Sequence, residues 1–180
     1  MKRSHRLFRF ADAIRFRPVS AFFTVAIFCI SMAAAKDTIS DYFQRLAAPS
    51  FLEVPASQLL RHTKGNKLDV VDTKNGFLFI QGDGAQVSLQ AALFRYSDGH
   101  PLIAVSYGEL EVADFINIEF FLEKDGKIIP ARQIAFPFPT NGGKLRFDLP
   151  RIGRTIIVKN PQGKTVAKVT WNGASFVKEK

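Results

Sequence analysis

The chain has 180 residues, 47% apolar and 23% charged, a composition typical of one soluble globular domain. That excludes collagen, coiled coils, acidic disordered tails and polytopic membrane proteins. The formal charge of +9 is unevenly placed: residues 1–35 hold six basic side chains against Asp12 alone, a net +5, so less than half of the basicity belongs to the rest of the chain.

Residues 1–35 read as an address. Lys2, Arg3, Arg6, Arg9, Arg15 and Arg17 precede Val19–Ala35, an uncharged run that closes in Ala33-Ala34-Ala35 before Lys36-Asp37. A basic region, an apolar region and small residues at the −3 and −1 positions make up a secretory signal peptide, with cleavage expected after Ala35. Two competing readings are an uncleaved membrane anchor, since 17 apolar residues is the lower limit for a span, and a mitochondrial presequence. A buried core helix fits poorly, because a run apolar on every side needs more cover than the remaining domain offers. Cys29 is the only cysteine and lies inside this run, where Phe28 occupies the place that lipoprotein processing reserves for a small residue. The exported domain therefore contains no thiol, and its core must hold it without disulfides.

Residues 36–67 form the helical part. Thr38 or Ser40 serves as N-cap, Ile39, Tyr42, Phe43 and Leu46 recur at helical spacing, and Pro49 ends the first helix. A second short helix is expected from Pro55 to about His62, followed by a loop at 63–67. Residues 68–180 change to strands and turns. Eight apolar runs are expected as strands: Gly76–Gln81, Gln86–Tyr96, Pro101–Tyr107, Asp114–Lys124, Lys127–Phe136, Lys144–Leu149, Thr155–Lys159 and Thr165–Trp171. They are punctuated by Gly82-Asp83-Gly84, Ser97-Asp98-Gly99, Lys124-Asp125-Gly126, Asn141-Gly142-Gly143 and Asn160-Pro161-Gln162-Gly163, turns in which Gly and Asn supply positive φ. Alternation in Ile116–Phe120 and Thr165–Trp171 predicts one face on the core and one toward water. The fold class is mainly β, α+β by content: an antiparallel sheet, sandwich or partial barrel of about seven or eight strands preceded by two short helices. Phe136-Pro137-Phe138-Pro139 cannot sit in a central strand and is expected as a covering loop, the alternative being a docking tip. Trp171, in phase with Val169, is expected inside the core.

Three pieces, Asn75-Gly76-Phe77-Leu78 with Ala92-Leu93-Phe94-Arg95 and Asp98-Gly99, then Leu149-Pro150-Arg151-Ile152-Gly153-Arg154-Thr155-Ile156, then Val169-Thr170-Trp171-Asn172-Gly173 with Phe176, resemble a set of small secreted bacterial β-rich proteins. That set has an NGYL-like strand, an LF…DG hairpin, an LPr-G-tTI turn and a terminal W-x-G-x-F. The resemblance spans Leu68 to Phe176 and implies an exported β-rich fold; it transfers no catalytic residue. Some of these proteins carry a cysteine pair where this chain reads Tyr107-Gly108-Glu109-Leu110.

Few residues invite chemistry. His62 and His100 are the histidines after residue 35, one at a helix end and one at a turn tip, and no metal-ligand, nucleophile-elbow or phosphate-loop spacing occurs. Glu109, Glu111, Asp114, Glu119 and Glu123 form an acidic stretch, but Glu119 and Glu123 on one strand stand about 13 Å apart, beyond the reach of a glycosidase pair. Asp83 and Asp98 lack the regular spacing of a calcium loop. The last 37 residues carry nine basic against two acidic side chains, a net +7, which reads either as an anion-binding surface or as the wet side of antiparallel strands. No catalytic residue, metal or cofactor is implied. The expected function is an exported, non-enzymatic β-domain, periplasmic or secreted, that binds an envelope or extracellular protein or an anionic surface. Nucleic acid is not expected as a partner, and a membrane only through an uncleaved residue 19–35 segment. The alternative is a carboxylate-dependent hydrolase using Tyr96 or Tyr107 in a sheet cleft, or a carbohydrate-binding domain.

Overall fold

Thr38 caps the first helix reciprocally: its hydroxyl accepts from the Asp41 amide, while the Asp41 carboxylate accepts from the Thr38 amide at 2.8 Å. Those bonds to Thr38 also hold the Asp41 carboxyl below its ordinary range. In the computed structural model, residues 37–46, 52, 54–62, 67–82, 86–109, 112–141 and 144–179 are described. The segment read as a signal or anchor, the turn at Asp83-Gly84, Glu111 and Gly142-Gly143 lie outside the described residues. Among the described residues no helix is long and apolar enough to cross a membrane.

Among the described residues two short helices, α1 (Ile39–Gln44) and α2 (Ala56–His62), precede ten strands. The first six are β1 (Val70–Asp72), β2 (Phe77–Ile80), β3 (Leu89–Arg95), β4 (Pro101–Glu109), β5 (Val112–Lys124) and β6 (Lys127–Pro130), followed by β7 (Arg146–Asp148), β8 (Thr155–Lys159), β9 (Thr165–Trp171) and β10 (Phe176–Lys178). Strands β1 to β6 form one antiparallel meander in chain order, and β10-β9-β8-β7 form a second. The fold is mainly β, with two sheets and no closed barrel among the described residues. All eight expected strands are present. The expected count is low by two, because β1 and β10 are three-residue strands too short to show a period. The expected strand Lys127–Phe136 ends at Pro130, and one further bond, from the Ala131 amide to Phe120 O at 2.8 Å, closes its ladder with β5.

One apolar cluster fills the space between the sheets, with Phe94, Leu102, Phe120, Phe147, Ile156 and Trp171 among its members. A second lies on the other face of the six-stranded sheet, where Ile39, Tyr42 and Phe43 of α1 and Leu59 of α2 cover Leu78, Ala91, Ile103, Val105 and Phe121. Strand β9 keeps the expected alternation, with Ala167, Val169 and Trp171 buried and Val166 and Lys168 exposed, whereas the helices are a third layer that dries the far face of the six-stranded sheet at its middle. This explains why β4 reads Leu102-Ile103-Ala104-Val105 without alternation: odd and even positions both meet apolar cover.

Two polar pins tie the sheets together. The Ser106 hydroxyl, fully buried, lies 3.0 Å from Asn117 O and 2.9 Å from Phe147 O, and the Leu149 amide donates to Gln90 Oε1 at 2.8 Å. Both pins use backbone groups of the β7 segment that point away from β8, so this edge of the second sheet is closed from within the molecule. The loop after β6 also covers the core as expected: the Phe136 ring packs on Phe120, Phe147 and Phe176 at centroid distances of 5.3, 5.9 and 5.4 Å.

Candidate functional site: a cationic cleft

The turn from β1 to β2 is built by Asp72. One carboxylate oxygen accepts from the Asn75 amide at 3.1 Å, and the other accepts from Asn75 Nδ2 at 2.9 Å and Arg151 Nε at 2.8 Å. These partners, Asn75 first and Arg151 next, lower the Asp72 pKa to about 2. Gly76 follows with φ +68°, and a Cβ there would stand 2.9 Å from Leu93 Cβ, so this turn accepts only glycine without displacement. Pressed against β3 in this way, the turn projects Thr73 and Lys74 over the end of the six-stranded sheet.

Two more segments close on the same place. Arg95 ends β3, and its guanidinium donates to Asp37 O and Gly99 O, both at 3.3 Å. Arg154 follows Gly153, whose φ of +89° bends the chain into β8. Trp171 holds both segments: its indole N–H donates to Arg95 O at 2.7 Å and its backbone N–H to Arg154 O at 2.9 Å. A cleft of about 290 Å³ results, lined by Asp37 and Thr38, Thr73 to Gly76, Leu93 to Arg95, and Gly153-Arg154.

Its electrostatics are one-sided. Lys74, Arg95 and Arg154 border the cleft, and among the described residues no carboxylate comes within 4.0 Å of any of them. Asp37, the one carboxylate in the described lining, is engaged elsewhere by Arg45 at 2.5 Å. Arg45 in turn reaches Glu123 at 2.8 Å. Three cations with free donors around a concave polar surface attract an anion, and the guanidinium of Arg95, partly desolvated, does so most strongly.

The residues weighed from the sequence lie elsewhere. His100 stands at a turn tip with its side chain 74% exposed, bonded to Asp98 at 3.0 Å; the backbone and ring of His100 lower the Asp98 carboxyl. His62 ends α2, and its side chain is outside the described residues. Glu109 and Asp114 lie in β4 and β5. Glu119 accepts from the Tyr107 hydroxyl at 2.8 Å, and burial followed by this bond raises the Tyr107 pKa. Tyr96, raised by burial, stands edge-on to Trp171 at 5.0 Å. Glu119 and Glu123 are thus bound to different partners, and among the described residues no cluster of histidine and carboxylate groups could hold a metal ion.

The basic tail also disperses. Lys159 pairs with Asp148, Arg151 with Asp72, and Lys178 lies 5.3 Å over the Phe138 ring. Among the described residues only Arg154 of that series joins the cleft lining. Lys74 and Arg95 were not singled out from the sequence; the available signal was their position beside Asn75-Gly76 and Leu93-Phe94, two pieces already marked as distinctive. No protein-family model, curated protein or solved structure matches this chain.

Proposed function

We propose that the protein is an exported, non-enzymatic binding domain whose cleft at Lys74, Arg95 and Arg154 takes an anionic group of an envelope or extracellular partner. The observation that carries this reading is the charge imbalance of the cleft: three cations, none with a carboxylate within 4.0 Å among the described residues, against Asp37, which Arg45 engages. Of the three cations, Arg95 is half-buried and its guanidinium meets only backbone carbonyls, while Lys74 and Arg154 are exposed and add their charge at the rim of the cleft. Export rests on the basic, apolar and Ala-x-Ala succession of residues 1–35 and on the resemblance to small secreted β-rich proteins, two of whose three pieces line this cleft. The hydrolase alternative needs two carboxylates converging on a pocket, and the described lining has Asp37 alone.

Citrate titrated into isotope-labelled protein at low salt tests the reading. Amide shifts should concentrate at Asn75, Gly76, Arg95 and Arg154 and fade as salt screens the cations. Shifts scattered over Lys164, Lys168 and the other exposed lysines would reject the cleft as the binding place.

A further inference from the structure

Strand β1 is a sheet edge, and the cleft lies at its end. The hydrogen bond from the Leu93 amide to Gly76 O, 2.8 Å, sets the alternation along β2. Leu78 and Ile80 exchange bonds with β3, so Phe77 and Phe79 turn theirs to Asp72 and Val70 of β1. Val71, between those two, directs its N–H and C=O away from the sheet. Its side chain is 44% exposed. Immediately past β1 the chain enters the cleft at Thr73 and Lys74. The second wall is the Arg151–Arg154 loop, tied to β1 by the Arg151–Asp72 bond, and it presents Ile152 at 79% exposure next to Arg154.

We infer that the ligand of the cleft is an acidic, extended segment of a partner protein, which adds as a strand beside β1 and lays its carboxylates against Lys74, Arg95 and Arg154. This rests on the anion-binding reading above and names the class of its ligand. Three features favour a peptide over a phosphate or lipid headgroup. An unpaired strand edge is a template for another backbone and has no use for a small anion. Alternate side chains of an added strand point to opposite faces, so they meet Val71 on one side and the Arg151-Ile152 loop on the other. Lys74 follows β1 by two residues, and Arg95 and Arg154 line the same cleft, where the end of such a strand would arrive. Main-chain bonds at Val71 supply register, and the cleft selects acidic ends.

Isothermal titration of the purified protein tests this with four probes: a short acetylated peptide of alternating valine and threonine ending in two glutamates; the same peptide ending in two glutamines; the glutamate peptide N-methylated on alternate amides; and inorganic phosphate. The glutamate peptide should bind at least about fivefold tighter than the glutamine peptide, as expected for two partly screened ion pairs. N-methylation should abolish binding, since it removes the donors a strand must offer. Arg154→Gln, on an exposed side chain that leaves folding intact by melting temperature, should erase the glutamate preference. Equal binding of the first two peptides overturns the selection of acidic ends by the cleft, and undiminished binding of the methylated one overturns strand addition. Phosphate binding without any peptide binding overturns it too while leaving the anion cleft standing; silence from all four probes removes both.

Discussion

Replacing Trp171 by alanine is the most demanding test of the core. The side chain is 1% exposed and touches three rings, with centroids at 4.8 Å for Phe176, 5.0 Å for Tyr96 and 6.4 Å for Phe94. Removing a large buried aromatic costs about 3–5 kcal/mol through lost transfer energy and the cavity left behind. The indole N–H also satisfies Arg95 O at 2.7 Å, and an orphaned buried carbonyl adds about 1 kcal/mol or more. The sum, about 4–6 kcal/mol, approaches the whole stability of an ordinary domain of this size. Trp171→Phe isolates the second effect, because it keeps much of the ring contact with Phe176 and leaves Arg95 O unpaired; about 2 kcal/mol is expected. Equilibrium urea unfolding followed by far-ultraviolet circular dichroism gives both numbers, and at a slope of about 2 kcal/mol/M the alanine variant should lower the midpoint by about 2 M or more. A loss below about 1.5 kcal/mol for alanine, at unchanged slope, would refute the packing argument. If phenylalanine costs as much as alanine, the hydrogen bond and not the ring contacts dominates.

Gly76→Ala should destabilise by about 2 kcal/mol, combining a left-handed backbone with the 2.9 Å approach to Leu93, whereas Gly126→Ala, at φ +74° with nothing within 4 Å, should cost only about 1; thermal melts rank the two, and equal losses would show that the approach at Gly76 is relaxed. Ser106→Ala should cost about 1–3 kcal/mol by urea unfolding, since Asn117 O and Phe147 O share its hydroxyl inside the core. Asp72 has a folded pKa of about 2 against about 4 unfolded, so the unfolded chain takes up this proton first on acidification; the stabilisation is complete above about pH 4 and lost as pH falls through about 2. Melting curves across that window should be flatter for Asp72→Asn, and identical slopes would exclude the Asp72 bonds as the cause. N-terminal sequencing of protein recovered from its native host should begin near Lys36; Met1 in a soluble cytosolic fraction contradicts export, and Met1 in membranes favours the anchor.

The strands were legible because their turns are chemically loud. Asp125-Gly126 takes φ values of +52° and +74°, and Gly99 and Gly163 are also at positive φ, as tight hairpins require. Trp171 was legible from its phase with Val169. What could not be read was which strands share a sheet, since consecutive hairpins look alike whether the next strand continues one meander or starts another. The cover that α1 and α2 give the far face of the first sheet was hidden for a related reason: Ile103 and Val105 are consistent with any buried strand. The cleft was least legible, because Asp37, Lys74, Arg95 and Arg154 are far apart in the chain and each is ordinary alone. Their meeting depends on the Asp72–Arg151 bond and the two Trp171 bonds, which are long-range contacts with no local pattern.

The double attachment of Trp171 also makes the molecule its own optical gauge. The chain has one tryptophan, and its indole dipole is fixed to the carbonyl of a residue whose side chain borders the cleft. A ligand that draws the Arg95 guanidinium away from Asp37 O and Gly99 O pulls on the same residue, and the local field felt by the indole changes with it. Emission from the native protein should therefore be blue-shifted and shielded from iodide, as a buried ring requires, and should move in colour or intensity when the cleft fills. No attached dye is needed, so occupancy can be followed in the unaltered chain.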